Sequence, residues 1–197
     1  ARLAQAVNTF WFEADGVHGD NTDGIGLVRD ITRNANVALK GARVLLVGAG
    51  GAGAGALGPL LAQGPRELVL SNRTVERAQE LAERHADWAR RHGARLTACG
   101  LMDVPGRFDV VVNATAASLQ GAEPPLPASA IGEGTLVVDM MYGPKAEPFA
   151  QWARSHGATV RDGLGMLVEQ AAEAFQCWRG VLPPGAQVLE ERRAAMQ

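Results

Sequence analysis

Cysteine is almost absent from this chain. The two that occur in 197 residues, Cys99 and Cys177, stand alone, in neither CxxC nor zinc-ligand spacing. A disulfide scaffold and a cysteine-based metal centre are thereby excluded, and the pair reads as small apolar residues or free thiols in a reducing compartment. Histidine is scarce too: His18, His85, His92 and His156 fall in four separate segments with no HxxxH or HExxH pairing, so no metal is expected. No apolar run reaches the length of a membrane span, and the first residues lack a signal-peptide pattern. There is no basic block, and the formal net charge is −2, which argues against nucleic acid as a partner. The expectation is a soluble, cytoplasmic protein of one domain, or one domain plus part of another.

Glycine, by contrast, is plentiful, and its placement is informative. In VLLVGAGGAGAGA (Val44–Ala56) a β-branched and leucyl run enters Gly48-Ala49-Gly50-Gly51-Ala52-Gly53, and a helix-compatible Ala/Leu stretch follows. This is the strand, tight turn and helix start of a dinucleotide-binding unit. Gly48 permits the turn, Gly50 lets backbone N–H groups approach a pyrophosphate, and Gly53 allows close helix–strand packing. The helix N-terminus offers partial positive charge to the phosphates.

Strand and helix patterns then alternate. ELVLS at 67–71, a short run at 94–98, FDVVVN at 108–113, TLVVD at 135–139 and 158–161 read as strands. Segments 74–91 and 147–156 read as helices, and 121–127 as a Gly/Pro loop. Alternation of this kind predicts an α/β fold, a Rossmann-like doubly wound parallel sheet with ligands at the carboxyl ends of its strands. The two ends fit less simply. AVNTFWFE followed by Asp15-Gly16 and Val17-His18-Gly19 looks like a hairpin with a type I′ turn. Residues 23–32 read as a helix leading into the first sheet strand, 166–178 as an apolar helix and 186–195 as a charged one. A hairpin bearing Phe10, Trp11 and Phe12 calls for a cover. These end segments are therefore expected to belong to a second domain lying mostly upstream. The expected division is 1–22, the end of a substrate-binding domain; 23–162, a nucleotide-binding domain; and 163–197, helices returning to the first.

At the end of the second strand, where an NAD-type fold usually carries an acidic residue, the chain has Asn72, then Arg73, Thr74 and Arg77. A 2′-phosphate needs planar cationic donors without a nearby anion, and Arg73 supplies the fork, so NADP is preferred over NAD. Asn8 and the string Gly19–Gly24 lie on opposite arms of the hairpin-to-helix segment. Asn21 and Thr22 there read equally well as helix caps. Asp23, in the first turn, is favoured as an anion by the helix dipole.

The strings AVNT, GDNTDGIG, VGAGGAG, SNRTVERA, VVNATAAS, VVDMMYGP and DGLGMLVEQAAEAFQCW follow one another in the order and spacing of shikimate dehydrogenases, and the likeness runs over essentially the whole chain. The resemblance implies NADPH-dependent, reversible reduction of 3-dehydroshikimate to shikimate, in aromatic amino-acid biosynthesis. It implies that Asp23 is the carboxylate of a catalytic Lys/Asp pair, and that Asn8, Asp23, Tyr142 and Gln170 contact the substrate. It places Gly48, Ala49, Gly50, Gly51 and Ala52 at the diphosphate, and Asn72, Arg73, Thr74 and Arg77 at the adenosine phosphate. Thr115, Met140 and Gly163 fall to the nicotinamide half. Met140 also reads as plain core. Ala116 and Ala117 stand where relatives often carry serine or glycine. The family's lysine belongs to a motif preceding AVNT, and the chain has only Lys40 and Lys145, neither in that motif. Three readings follow: an NADP-dependent shikimate dehydrogenase, an NADP-binding module impaired in catalysis, and an enzyme acting on quinate. A homodimer is a further expectation.

Overall fold

The chain runs from a hairpin into a helix and then winds through a parallel sheet. In the computed structural model, which describes residues 1–115 and 126–196, β1 (Thr9–Glu13) pairs antiparallel with β2 (Gly16–Asp20). Helix α1 (Asp23–Arg29) follows and continues as a π-helical turn over Asp30–Asn34. Then come β3 (Arg43–Val47), α2 (Gly51–Ala62), β4 (Glu67–Ser71), α3 (Val75–Arg91), β5 (Arg95–Cys99), β6 (Val110–Asn113) and β7 (Leu136–Asp139). The described chain ends with α4 (Glu147–Ser155), β8 (Thr159–Arg161), α5 (Leu164–Arg179) and α6 (Gly185–Ala195).

Strands β3 to β8 form one sheet in the order β5-β4-β3-β6-β7-β8, every pair parallel. This is the doubly wound, Rossmann-like order, which reverses direction between β3 and β6 and opens a ligand crevice there. Its central strands are apolar on both faces because helices cover both. Val44 and Leu46 pack with α1, α2 and α3, whereas Leu45 and Val47 pack with Phe108 and Phe149 on the opposite side. At the carboxyl edge the pattern changes: β4, β6 and β7 end on Ser71, Asn113 and Asp139, all buried polar residues. Parallel register lines them up, Val47 beside Ser71 and Asn113, and Asn113 beside Asp139.

Two local expectations need correction. The hairpin turns at Ala14-Asp15, because Glu13 pairs with Gly16. Neither turn residue has positive φ, so the turn is not type I′. Gly16 instead opens β2 with φ +142, using its freedom as a strand residue. The helix expected over 23–32 changes hydrogen bonding at Asp30, whose carbonyl accepts from the N–H of Ala35 at 2.9 Å. Most of the Gly/Pro loop expected at 121–127, and Ala116 and Ala117, lie outside the described residues.

Candidate active site

The glycine loop follows from the steric demands at each position. Gly48 sits at φ +110, and its N–H donates to the Ser71 carbonyl at 2.7 Å. A Cβ at position 53 would lie 1.9 Å from the Gly48 carbonyl oxygen, so only glycine lets α2 start this close to the turn. Around Gly50 and Gly51 a Cβ would meet nothing within 4 Å. Open space in front of a helix N-terminus is where a pyrophosphate is held. Asn72 does not reach outward. Its Oδ1 accepts from the N–H of Ala49 at 3.2 Å and its Nδ2 donates to the Thr74 carbonyl at 2.8 Å. It ties the glycine loop to the segment carrying Arg73, Thr74 and Arg77. The two arginines are exposed and make no ion pair among the described residues.

On the other side of the crevice, the Asn113 amide donates to Asp139 at 3.2 Å, and its Oδ1 accepts from the Thr115 hydroxyl at 2.7 Å. Asp139 also accepts from the N–H of Met141 at 2.9 Å. The two buried polar strand ends thus shape the loops bearing Thr115 and Met140. Met140 is half-buried against the core. At Gly163 a Cβ would lie 2.3 Å from the Met140 carbonyl oxygen, so this glycine permits close approach of the two loops.

Asn8, Asp23 and Gln170 are 162 positions apart at the extremes, yet they share one hydrogen-bond network. Asn8 Nδ2 donates to Asp23 Oδ1 at 2.8 Å. Asn8 Oδ1 accepts from the backbone N–H of Thr22 at 3.0 Å, from the Thr9 hydroxyl at 3.0 Å and from the Thr22 hydroxyl at 3.2 Å. The Thr22 hydroxyl also points to Gln170 Oε1 at 3.1 Å, and Gln170 Nε2 donates to the Leu167 carbonyl at 3.1 Å. Asn21 caps Asp23, accepting from its N–H at 3.1 Å. Partial burial raises the Asp23 pKa above the ordinary carboxylate value, and the hydrogen bond from Asn8 opposes that rise. Tyr142 lies on the loop after β7, is exposed, and hydrogen-bonds to none of these residues.

Helix α1 carries Asp23 between α2 and α5, and two glycines set its depth. A Cβ at Gly24 would lie 2.4 Å from the Gly55 carbonyl oxygen of α2, and one at Gly26 would lie 2.6 Å from Cβ of Gln170 on α5. Thr9 and Thr22, the latter read from sequence as a cap candidate, are both 1% exposed and join the network through their hydroxyls. Thr22 occupies the N-cap of α1 but makes no side-chain capping bond, a departure visible only once its hydroxyl is placed. Glu13, Asp15 and His18 converge at the exposed hairpin tip, where the imidazole lies 2.8 Å from Asp15 and 3.8 Å from Glu13. The imidazole and Asp15 hydrogen-bond to each other, and Glu13 accepts from Trp11 Nε1 at 2.9 Å.

A family profile described as Shikimate / quinate 5-dehydrogenase matches residues 30–126, and one described as Shikimate 5'-dehydrogenase C-terminal domain matches residues 163–191. The chain is 60% identical over 197 residues to a protein of Methylibium petroleiphilum named shikimate dehydrogenase (NADP(+)), covering 100% of this chain and 67% of that protein. Among solved structures, the Ael1 enzyme from Pseudomonas putida is similar with a TM-score of 0.89 and 46% identity, covering 96% of this chain and 69% of that one. Shikimate 5-dehydrogenase from Thermus thermophilus, solved in complex with NADP(H) and shikimate, is similar with a TM-score of 0.78 and 33% identity, over 98% of this chain and 70% of that one.

Proposed function

The chain belongs to the shikimate dehydrogenase family, and from that premise we propose that its site serves the NADPH-dependent, reversible reduction of 3-dehydroshikimate to shikimate. The observation that carries this reading is the Asn8–Asp23–Thr22–Gln170 network, held on a helix packed directly against the glycine-loop helix. A half-buried carboxylate bonded to one oriented amide, with a second amide joined through Thr22, suits a ligand rich in hydroxyl groups.

The residues fit the cofactor. Gly50 and Gly51 leave the α2 N-terminus uncovered, and Arg73 and Arg77 are exposed cations without partners among the described residues. When bound, NADPH supplies the hydride that the carbonyl carbon receives. Gly50, Gly51 and Ala52 would offer backbone N–H groups to the diphosphate, while Gly48 and Ala49, whose N–H groups are taken by Ser71 and Asn72, shape the loop around it. Arg73, Thr74 and Arg77 hold the 2′-phosphate, and Asn72 keeps these two segments in register. Thr115, Met140 and Gly163 border the nicotinamide half. Asn8, Tyr142 and Gln170 hold the substrate, and Asp23 orients the reacting hydroxyl and takes part in its proton transfer.

In the family that Asp23 resembles, the carboxylate works with a lysine. Lys40 and Lys145 are the chain's only lysines, and neither bonds to Asp23 or Asn8. The 197 residues by themselves therefore bind NADP(H) and turn over slowly, since a positioned general acid is worth about 10²–10⁴ in rate. The test pairs NADP(H) affinity, by calorimetry, with shikimate-dependent NADP reduction on the same sample. Tight NADP binding with slow turnover is expected. A normal rate would remove the claim of slow turnover, and a failure to bind NADP would remove the cofactor assignment.

A further inference from the structure

We infer that Thr9 is a positioning residue of this site, whose buried hydroxyl releases the single hydroxyl proton of Thr22 for Gln170 and so orients the Asn8 and Gln170 amides together. The inference rests on the assignment of these two amides to the substrate.

The argument is a count of protons and lone pairs. An amide oxygen accepts two hydrogen bonds, and a threonine hydroxyl donates one. Three donors surround Asn8 Oδ1: the Thr22 N–H at 3.0 Å, the Thr9 hydroxyl at 3.0 Å and the Thr22 hydroxyl at 3.2 Å. The two shorter contacts fill the acceptor. The Thr22 proton then goes to the nearer of its two remaining acceptors, Gln170 Oε1 at 3.1 Å rather than Thr9 Oγ1 at 3.4 Å. A threonine at an N-cap ordinarily bonds a backbone N–H of the first turn. Thr22 makes no such bond, so its hydroxyl is available for this second use. Thr9 and Thr22 are each 1% exposed, and water has no access to replace either hydroxyl.

With Thr9 in place, both amides are fixed at both ends. Asn8 is held through Oδ1 by two donors and through Nδ2 by Asp23; Gln170 is held through Oε1 by Thr22 and through Nε2 by the Leu167 carbonyl. Each amide then has one remaining N–H to direct at a ligand oxygen. Neither can flip to present its oxygen instead without losing these bonds. Thr9 itself is too buried to touch a ligand, and it acts only through Thr22 and the amides.

Thr9→Val keeps the side chain's shape and removes the proton. The Thr22 hydroxyl is then drawn to Asn8 Oδ1, and Gln170 Oε1 loses its donor. KM for shikimate is expected to rise about three- to ten-fold, the effect of one neutral hydrogen bond. Little change is expected in kcat or in KM for NADP, and Thr9→Ser is expected to restore the wild-type KM. In a Gln170→Ala background, Thr9→Val should raise KM no further. An equal rise in that background, or failure of Thr9→Ser to rescue, overturns the inference. A second measurement needs no turnover: the side-chain amide resonances of Gln170 in a ¹⁵N–¹H spectrum should shift in Thr9→Val and stay in place in Thr9→Ser. Unchanged Gln170 resonances in Thr9→Val also overturn it. Absence of shikimate oxidation by the wild type would sink the functional reading, and the spectrum would still decide the role of Thr9.

Discussion

Asp23 is under two opposed influences. Burial raises its pKa, and the Asn8 amide, donating at 2.8 Å, pulls it back down. Because burial dominates, the folded protein disfavours the anion. Asp23→Asn should therefore leave the thermal midpoint unchanged or higher while lowering shikimate oxidation by about 10²–10⁴, the worth of a proton-transfer group. A lower midpoint with intact activity would mean that the carboxylate is structural. The sign of the pH dependence follows from the same two causes. A raised pKa means that Asp23 takes up a proton at higher pH than an ordinary carboxylate, and activity requiring the anion falls as pH drops through that value. Asn8→Ala removes the opposing hydrogen bond, so the acid limb of kcat/KM should move to still higher pH. His85 gives an independent case. It is fully buried on α3, its Nδ1 bonds the Leu81 carbonyl at 2.9 Å, and its Nε2 has no partner among the described residues. Burial, the larger cause, and the Arg84 charge depress its pKa below the usual imidazole value near 6.5. The unfolded chain then binds a proton that the folded one refuses. Stability should be full above about pH 6.5 and decline as pH falls below it. Urea midpoints measured across this range should show the decline in the wild type and a smaller one in His85→Phe.

Among elements, the loop between β3 and α2 separates folding from binding within a few residues. A Cβ at position 50 meets nothing, whereas one at position 53 falls on the Gly48 carbonyl oxygen at 1.9 Å. Gly53→Ala should thus lower the unfolding midpoint with no cofactor present, because α2 must move away from the turn. On the proposed assignment of this loop, Gly50→Ala should unfold like the wild type and lose NADP affinity, since the methyl group would enter the space the pyrophosphate takes. Equal effects of both variants on the apo midpoint would remove the distinction. These glycines were readable from sequence because strand, turn and helix each leave a local pattern there. The parallel strands were readable for the same reason, as continuous apolar runs between helical stretches. The hairpin turn was not. Asp15-Gly16 favours positive φ wherever the pairing puts it, and the cross-strand register places Gly16 in the strand. The π turn at Asp30–Asn34 was hidden because its cause is tertiary. Asp30 is fully buried, accepting from Arg161 of β8 and from Asn34 at 3.0 Å. The widened turn brings these partners to one carboxylate.

For the whole molecule, the family resemblance pointed to Asn8, Asp23 and Gln170 as substrate contacts but not to what joins them. Asn8, Asp23 and Gln170 come from two ends of the chain, and spacing along the chain carries no information about which hydroxyl faces which amide. That information appears only when α1 is laid between α2 and α5, at a depth set by Gly24 and Gly26. What fixes this helical layer to the sheet is ionic and buried. Arg161 reaches both oxygens of Asp30, at 2.6 and 3.1 Å, and Asn34 donates on to Glu169 of α5 at 3.3 Å. The ordinary contribution of a surface ion pair would be small. Here one partner is 0% exposed, and removing the other strands a carboxylate in the interior. Arg161→Ala is expected to cost about 3–5 kcal/mol of unfolding free energy, in the range for an uncompensated buried charge. Asp30→Asn, which removes the charge but keeps a side chain able to bond Arg161 and Asn34, should cost much less. If the network seats α1, the loss in Arg161→Ala should spread beyond β8. Amide exchange should accelerate along α1 and the start of α5, where Asp23 and Gln170 stand, while β3 and β6 at the centre of the sheet keep their protection. Faster exchange confined to β8 would mean that Arg161 stabilises only its own edge strand, and that the glycine contacts alone hold α1 in place.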